Sequence, residues 1–456
     1  MRIPQEPPDF TKQLTDAGFF TRAESFLRGQ EPHTGGYIHW DKLRRLPNPP
    51  AGLSHEDWWA AIKIGRMRGL KSLPLKSKSG NPFQFSVPDE VAEQLHQIDM
   101  GGGGKIGMPE ALPNTQVRDQ YVISSLIQEA ITSSQLEGAV TTREVAKEML
   151  RTGRPPRDRS ERMILNNFMT MQRVAQLRTE KLSPELVYEI HKLVTDGTLR
   201  NPDAAGRLRR SDEEVRVEDE SGEVFHTPPN ARELPERMQT MCDFANGLTP
   251  ASFIHPAIRS ILLHFWIGYD HPFVDGNGRT ARALFYWSML RREYWLFEFI
   301  SISDILHRAP AKYNRAFLYS ENDGNDATYF LVHQAEVIRR AILRLHAYID
   351  RKSKELQDSE KLLRGWEHLN HRQIALISHA LRHPGKRYTV EGHQRSHSTV
   401  YETARRDVLR LVEEGLLTQA AKGRGRTRFY AAPHDLRARI EWMPEKKQPL
   451  TELPLE

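Results

Sequence analysis

Apolar residues recur at helical spacing over much of the chain. Such faces cover residues 122–131, 186–194 and 258–269, and a further one covers residues 283–290. Residues three and four positions apart share one side of a helix, so this pattern predicts amphipathic helices. Pro256 suits the first turn of the third helix, because a proline loses no hydrogen bond there. The pattern predicts a mainly α fold.

Alternating apolar and polar residues interrupt the helices in two places. Residues 215–217 and 223–225 flank a polar turn that ends in Gly222, which is typical of a β-hairpin. Residues 83–87 alternate in the same way and predict a short strand. We therefore expect a small β component within the helical fold.

The first part of the chain, residues 1–110, is broken up by proline and shows no catalytic constellation. Residues 54–67 nevertheless predict a helix, since Ser54 is a good N-cap and acidic residues follow it closely. We expect an accessory or docking region here.

The last quarter of the chain predicts a helix, a second helix and a basic hairpin. Apolar positions indicate helices over residues 374–381 and 398–415, and residues 423–430 predict the hairpin. This order of elements is similar to a winged helix.

We place the winged-helix-like domain at residues 366–440, after a charged connector helix at 351–365 and before a tail at 441–456. Its arginines could contact the phosphates of DNA through residues 395–428. Equally, they could only keep that surface soluble, since winged helices also serve in packing and dimerisation. These arginines are Arg395, Arg405, Arg406, Arg410, Arg424, Arg426 and Arg428.

Composition narrows the class of protein. The 456 residues carry a net charge of +6, which permits contact with nucleic acid but does not require it. Cys242 is the only cysteine, so an intrachain disulfide is excluded. The longest apolar run, residues 261–269, is too short to span a bilayer, and the N-terminus has no signal-peptide core. We expect a cytoplasmic protein without a membrane segment.

The most distinctive stretch is a polar loop between two predicted helices, residues 271–282. Its sequence is His-Pro-Phe-Val-Asp-Gly-Asn-Gly-Arg-Thr-Ala-Arg. A glycine-rich loop that opens into a helix presents unpaired backbone N–H groups to an anion. Around that anion site the sequence places an imidazole, a carboxylate, a carboxamide and two guanidiniums. A loop that merely reverses the chain needs none of them.

The order H-P-F-x-D-G-N-G-R-x-x-R resembles the active-site motif of Fic-domain proteins, and every signature position is filled. The resemblance implies a Fic-type helical core with a hairpin flap, which we place at residues 111–350. It also implies that a nucleotide monophosphate, most often AMP from ATP, is transferred to a protein hydroxyl. The expected ligands are therefore ATP and Mg²⁺.

The resemblance also implies roles for the motif residues. His271 would be the general base that takes the proton from a Ser, Thr or Tyr hydroxyl of the target. Asp275 would hold Mg²⁺. The phosphates would be bound by backbone N–H groups at the helix N-terminus, by the Asn277 side chain and by two guanidiniums. These phosphate-binding residues are Gly276, Asn277, Gly278, Arg279 and Arg282.

Residues 133–138, Ser-Ser-Gln-Leu-Glu-Gly, resemble the inhibitory motif of Fic proteins. In that family the motif glutamate, here Glu137, pairs with the second motif arginine, here Arg282, and keeps it from the γ-phosphate. A glutamate in the last turn of a helix opposes the macrodipole, and a nearby cation would offset this. With Ser133 and Glu137 on the same chain, the restraint would be intramolecular. An ordinary solvated glutamate is the alternative.

Further segments resemble ligand-contacting parts of the family. The hairpin at residues 215–225 would clamp the target protein by strand addition. Tyr313 and Asn322 lie in segments that contact adenine and ribose in relatives, although Tyr313 could equally be a core aromatic.

The sequence leaves several alternatives open. The donor could be another nucleotide, or the reaction could run in reverse, with Glu137 aligning a water that removes AMP. A function of another class is a DNA-binding transcriptional regulator that uses the C-terminal domain. Self-modification and a homodimer also stay open.

Overall fold

A computed structural model describes residues 2–29, 36–50, 52–102, 115–218, 221–363, 368–397, 399–419 and 428–442. The chain divides into two compact units, residues 1–345 and 346–456. Within the described part of the chain, helices predominate and no helix is long and apolar enough to cross a bilayer. The mainly α prediction is confirmed.

The N-terminal part of the first unit combines helices with a two-stranded sheet. Ser54 caps α4 through a capping box with Asp57, as the sequence predicted. The sequence indicated only the second strand, because Pro74 lies inside the first and argues against a strand. The elements are α1 (Phe10–Thr15), α2 (Phe19–Leu27), α3 (Trp40–Leu43), α4 (His55–Met67), β1 (Lys71–Lys76), β2 (Pro82–Phe85) and α5 (Asp89–Gly102).

The rest of the first unit is a helical core with one hairpin. The hairpin strands pair antiparallel and lie one or two residues later than predicted. The elements are α6 (Thr115–Leu136), α7 (Arg143–Thr152), α8 (Arg159–Gln176), α9 (Pro184–Thr195), β3 (Val217–Glu218), β4 (Val224–His226), α10 (Leu234–Asn246), α11 (Pro256–Asp270), α12 (Asn277–Arg291), α13 (Ser303–His307), α14 (Pro310–Asn322) and α15 (Thr328–Leu363).

Helices α11 and α12 form the centre of this core. Nearly every residue of both helices is buried, including polar ones such as Arg259 in α11 and Arg279 and Arg282 in α12. The sequence pattern predicted one apolar face on each helix, whereas the structure surrounds both helices on all sides. Pro256 occupies the first turn of α11, as predicted. The loop between the two helices is therefore held at both ends by buried, close-packed elements.

The second unit has its own apolar core, which includes Ile377, Val408 and Leu411. The predicted helix at 398–415 begins only at Tyr401, and a short helix that the sequence did not indicate precedes it. The sheet order is β5-β7-β6, with antiparallel pairs. The elements are α16 (His371–Arg382), β5 (Arg387–Tyr388), α17 (Val390–Ser396), α18 (Tyr401–Glu413), β6 (Thr418–Gln419), β7 (Tyr430–Ala431) and α19 (Leu436–Trp442).

Part of the C-terminal prediction lies outside the described residues. This applies to Arg424, Arg426, most of the predicted basic hairpin and most of the tail. The side chain of Arg395 is likewise outside the described set. The helix α15 continues to Leu363, through most of the predicted connector.

Candidate active site

The motif loop (residues 271–282) leaves α11 through a left-handed residue and enters α12 through another. His271 has φ 44° and Gly276 has φ 84°. A positive φ is uncommon for a residue other than glycine and persists only where the surroundings enforce it. The N–H of His271 donates to Ile267 O at 3.0 Å, and Arg209 Nε donates to His271 O at 2.9 Å. These bonds hold the backbone of His271 in its strained conformation.

The imidazole of His271 has a defined tautomer. Its Nδ1 lies 3.2 Å from the carbonyl oxygen of Gly268, which can only accept a hydrogen bond. The proton is therefore on Nδ1, and Nε2 carries a lone pair. Burial lowers the pKa of His271 to about 4, against the smaller opposing effect of the Gly268 carbonyl. At neutral pH the ring is uncharged and can accept a proton.

Asn277 closes the loop on itself. Its Oδ1 accepts from Phe273 N–H at 2.9 Å, and its Nδ2 donates to Phe273 O at 2.8 Å. The side chain is buried. In this state the amide shapes the loop, and only the second hydrogen of Nδ2 remains for the donor role that the resemblance implied.

Two residues that the sequence did not single out fix the loop from outside. His191 stacks on Phe273 at 3.7 Å, accepts from the N–H of Gly206 through Nδ1 and donates to Asp275 O through Nε2 at 2.9 Å. Burial lowers the pKa of His191 to about 4, so the ring is neutral. The second residue is Arg209, which is buried and bonded to the loop backbone. Neither follows a local pattern, so no sequence signal pointed to them.

Arg207, which lies two residues before Arg209, is engaged elsewhere. Its guanidinium forms a bidentate pair with the carboxylate of Glu213, at 2.7 and 2.8 Å. This pair gives Arg207 a local structural partner.

The N-terminus of α12 is an anion cradle. Its N-cap is Gly276, which supplies no capping side chain, so first-turn N–H groups have no partner within the helix. Arg279 is fully buried and donates from Nη1 to Val194 O at 3.0 Å. Among the described residues, Nε and Nη2 of Arg279 and Nη1 of Arg282 have no hydrogen-bond partner. Buried donors without partners are costly, and an anion would satisfy them.

Glu137 fills this cradle in the described state. Its Oε1 accepts from Arg282 Nη2 at 3.0 Å. Ser133 completes the contact, since Arg282 Nε donates to its hydroxyl and Nη2 donates to its carbonyl, both at 2.8 Å. A methyl group added to Gly278 would lie 2.1 Å from Oε1 of Glu137, so the carboxylate sits directly over the first turn of α12. The structure thus brings the two resemblance-derived motifs into contact.

Asp275 faces outward beside the cradle. Its carboxylate is 42% exposed, and one oxygen lies 3.2 Å from Arg159 Nη2. The other oxygen accepts from Gly276 N–H and lies 3.7 Å from Arg279 Nη2. No cluster of three or more metal-ligating side chains occurs among the described residues. Mg²⁺ is commonly held by one or two carboxylates together with substrate phosphates, and a partly exposed carboxylate beside a phosphate cradle fits that donor set.

The remaining predicted ligand contacts lie on α14. The hydroxyl of Tyr313 is 2.8 Å from His264 Nε2, and its ring packs near Phe317 and Phe330. Burial raises the pKa of Tyr313 to about 12, so the phenol stays neutral. Asn322 is half-buried at the end of α14.

The β3–β4 hairpin is attached beside the motif loop. His226, the last residue of β4, has Nε2 2.7 Å from Tyr269 O and Nδ1 2.7 Å from Glu321 Oε2. Tyr269 precedes His271 by two residues, so this bond sets the hairpin next to the imidazole.

Comparisons with known proteins show which family part of the chain is similar to. A sequence model of the Fic/DOC family matches residues 181–289. The protein adenylyltransferase Fic of Nematostella vectensis is 25% identical over 228 residues, which are 48% of this chain and 50% of that protein. Its counterpart in Drosophila virilis is 30% identical over 133 residues, 29% of this chain and 25% of that protein. The chain thus spans half or less of the length of these curated relatives.

A solved structure shares the fold. The crystal structure of a Fic family protein from Desulfovibrio desulfuricans G20 matches with a TM-score of 0.52 and 19% identity, over 76% of this chain and 97% of that one. The matched region contains the motif loop, its flanking helices and the cradle described above. Residues 181–289 are therefore similar to the Fic/DOC family, and the fold is that of a solved Fic family protein.

Proposed function

We propose that this chain is a protein adenylyltransferase, which moves AMP from ATP to a Ser, Thr or Tyr hydroxyl of a target protein. The observation that carries the proposal is a set of three buried guanidinium nitrogens without a hydrogen bond, two on Arg279 and one on Arg282, at an uncapped helix N-terminus next to a neutral imidazole. One of them, Arg279 Nη2, lies 3.7 Å from Asp275 Oδ1 as an ion pair. A triphosphate satisfies such donors, and the imidazole can accept a proton. The curated relatives named above are protein adenylyltransferases, which supports the same activity.

The chemistry follows from the placement of these groups. Nε2 of His271 takes the proton from the target hydroxyl, whose oxygen attacks the α-phosphorus. A new oxygen–phosphorus bond forms, the bond to the β-phosphate breaks, and pyrophosphate leaves. Arg279, Arg282 and the first-turn N–H groups of α12 stabilise the charge that accumulates on the departing phosphates. Asp275 would hold Mg²⁺, which would screen the phosphate charge.

We further propose that Glu137 inhibits this reaction from within the chain. Its carboxylate takes up Arg282 and covers the first turn of α12. Two anions cannot share that position, so the outermost phosphate and the carboxylate compete for it. The side chain of Glu137 is 27% exposed, which leaves a path for its release.

The hairpin is the proposed docking element for the target. Residues 215–225 contain a two-stranded ribbon whose end is bonded to Tyr269, beside His271. An extended target segment that adds to this ribbon would bring a hydroxyl to the imidazole.

Labelling from α-³²P-ATP tests the activity. We expect the Glu137→Gly protein with Mg²⁺ to transfer label to itself or to a protein in a cell extract. The matched control is the double variant Glu137→Gly with His271→Ala, which should transfer none. Mass spectrometry should find a gain of one AMP on a defined hydroxyl. Absence of label in the Glu137→Gly protein and in every mixture would contradict the proposal.

The same cradle would serve two related reactions, which are transfer from another nucleotide and removal of AMP by water. The assay separates both from the transfer of AMP. Incubation with each of the other nucleoside triphosphates tests the donor. Release of AMP from a labelled product in the presence of the unmodified chain, with Glu137 intact, would indicate the reverse reaction with water.

DNA binding by the second unit is a second candidate function. The favouring observation is the order of its elements, with a three-stranded sheet, and the exposure of Arg405, Arg406 and Arg410 on one helix. We expect Arg405→Glu with Arg406→Glu to abolish any gel shift of duplex DNA by the full chain. Arg437→Glu, on another exposed helix of the same unit, is the matched control. An equal gel shift from the unmodified chain, the double variant and the control would exclude Arg405 and Arg406 as the DNA-binding surface.

A further inference from the structure

Helices α6 and α12 are joined by polar contacts at successive turns. Near the C-terminus of α6, Glu137 and Ser133 bond to Arg282. One turn further along α12, the hydroxyl of Tyr286 donates to Oε2 of Glu129 on α6 at 2.9 Å. Residues four positions apart are neighbours on a helix surface, so the Glu129 contact continues the line of the other two. We call this line of contacts the polar ladder.

The carboxylate of Glu129 is buried and has several donors. It is 1% exposed. Besides the Tyr286 hydroxyl, Oε2 accepts from the Ser301 hydroxyl at 2.7 Å and from the Ser303 N–H at 3.1 Å, and Oε1 accepts from the Ser303 hydroxyl. A buried carboxylate persists where such donors satisfy it, so Glu129 binds α6 to α12 and to the start of α13.

The phenol of Tyr286 stays a donor in this arrangement. It is fully buried, and burial together with the neighbouring carboxylate of Glu129 raises its pKa well above the usual value. The proton therefore remains on the oxygen at any pH at which the protein is folded and active. The contact between α6 and α12 at this turn is permanent in the described state.

The other side of α6 holds the helix in a different way. Ile127, Ala130 and Ile131 pack against apolar residues of α7 and α8, including Met149 and Ile164. Apolar packing is non-directional, whereas hydrogen bonds have a defined geometry. The apolar side therefore keeps α6 in the core, and the polar ladder determines how far along α12 it lies.

The position of Glu137 depends on that placement. Glu137 follows Leu136, the last residue of α6, and its side chain is 27% exposed. Its Oε1 reaches Arg282 Nη2 at 3.0 Å. A displacement of α6 by one residue, which is about 1.5 Å along the helix axis, would break a contact of this length.

We propose that Glu129 is a positioning residue for the proposed inhibitory contact, because it fixes α6 where Glu137 reaches Arg282. The proposal rests on the proposed function, since it needs a reaction that Glu137 restrains. Without Glu129, the carboxylate of Glu137 would spend more time away from Arg282, and the cradle would be open to phosphate more often.

The direction of the effect separates this role from a structural one. Loss of a residue that only supports the fold lowers activity. Loss of a residue that positions Glu137 raises activity, and only in a chain that still carries Glu137. The effect of Glu129 should therefore disappear in the Glu137→Gly background, since residues that act through one contact are not additive.

Transfer of AMP from α-³²P-ATP by the full chain tests this. With Glu137 intact, we expect Glu129→Ala to raise the rate of transfer about threefold to tenfold, the factor for loss of one hydrogen-bonded anchor. Calorimetric titration with ATP should show tighter binding by a similar factor. In the Glu137→Gly background, the same substitution should leave the rate and the ATP affinity within about twofold.

Glu129→Gln is the conservative variant. Glutamine has the same length, accepts through its oxygen and donates through its nitrogen to the Ser303 hydroxyl, which can also accept. It should keep the low rate of the unmodified chain. If Glu129→Ala does not fold by circular dichroism, Tyr286→Phe takes its place, since it keeps the buried ring and removes the hydroxyl that reaches Glu129.

Ser288→Ala is the matched control on α12. It removes a buried hydrogen bond of 2.7 Å between Ser260 and Ser288, which joins α12 to α11 and lies outside the polar ladder. This variant should leave the rate of transfer and the ATP affinity unchanged with Glu137 intact. An increase equal to that of Glu129→Ala would mean that any loosening of α12 opens the cradle, and the inference would be overturned.

The remaining outcomes distinguish this inference from the proposed function. If the Glu137→Gly protein neither transfers label nor binds ATP, the proposed function fails. If that protein is active but loss of the Glu129 anchor leaves transfer unchanged or lowers it with Glu137 intact, the inference is overturned and the function stands. An equal increase in both backgrounds would also overturn it, because Glu129 would then act independently of Glu137.

Discussion

The motif loop and the joining segment, residues 322–329, where α14 ends and α15 begins, differ in where their hydrogen-bond partners come from. In the loop, Asn277 bonds to Phe273 and His271 bonds to Gly268, all within a few positions of each other. In the joining segment, Asn322 is held by a histidine 283 positions away and Asp326 by a tyrosine 289 positions away. The difference indicates that the loop takes part of its shape from its own residues and is then supported by distant ones such as Arg209 and His191, whereas the joining segment is held chiefly by partners far away in the sequence.

Removing the base from the loop should have the largest effect. We expect His271→Ala in the Glu137→Gly background to lower AMP transfer about a thousandfold, the middle of the range for general base catalysis. ATP affinity should stay within about twofold, because the imidazole is assigned to accept a proton and does not bind the phosphates. Transfer rates and calorimetry on the same preparations measure this. Undiminished labelling would remove His271 from the role of base.

A substitution of Arg282 tests whether the phosphates bind at the N-terminus of α12, beside the motif loop. In the Glu137→Gly background, Arg282→Ala should lower the rate of transfer about a hundredfold. Loss of one preorganised group that stabilises the charge of the transition state has an effect of this size. Arg308→Ala, which removes an exposed arginine of the same domain, is the control and should leave the rate unchanged. Retained activity in Arg282→Ala would show that the freed guanidinium does not contact the phosphates.

Lys63 tests how far the joining segment depends on remote partners. Lys63→Ala would leave the buried carboxylate of Asp323 without its cation, and we expect a loss of about 3 kcal/mol in the free energy of unfolding. Urea unfolding of the full chain measures it, with Lys12→Ala, an exposed lysine on α1, as the control. Equal unfolding midpoints in the two variants would mean that main-chain bonds alone hold the segment.

The smallest effect is a shift in the pH profile. Because burial lowers the pKa of His271, the neutral and active form should persist below pH 6.5. In the Glu137→Gly protein, kcat/KM should change less than about twofold between pH 7.5 and pH 6, and should fall only as the pH drops through the lowered pKa. An acid limb centred at or above 6.5 would show that the ring is solvated when it acts.

Part of this arrangement was predictable because it depends on residues that are close together in the sequence. Helical periodicity gave the bounds of α9 and α11 to within two residues, whereas α12 begins six residues before its predicted apolar face, inside the polar motif. The motif itself singled out His271 and the residues around the N-terminus of α12. The resemblance also named the two partners, Glu137 and Arg282, that the structure brings to 3.0 Å. Alternation found the hairpin but misplaced its strands by one or two residues, because strand ends carry little pattern.

The sequence by itself determined a mainly α protein with a polar, glycine-rich loop between two helices, and the resemblance pointed to Glu137 as the partner of Arg282. Only the tertiary structure decided that His191 and Arg209 support the loop, and that Lys63 and Tyr37 hold the segment between α14 and α15. The physical reason is the separation in sequence between the residues that make contact. Periodicity and capping are set by neighbours three or four positions apart, whereas these contacts join residues that are distant in sequence and leave no local signal.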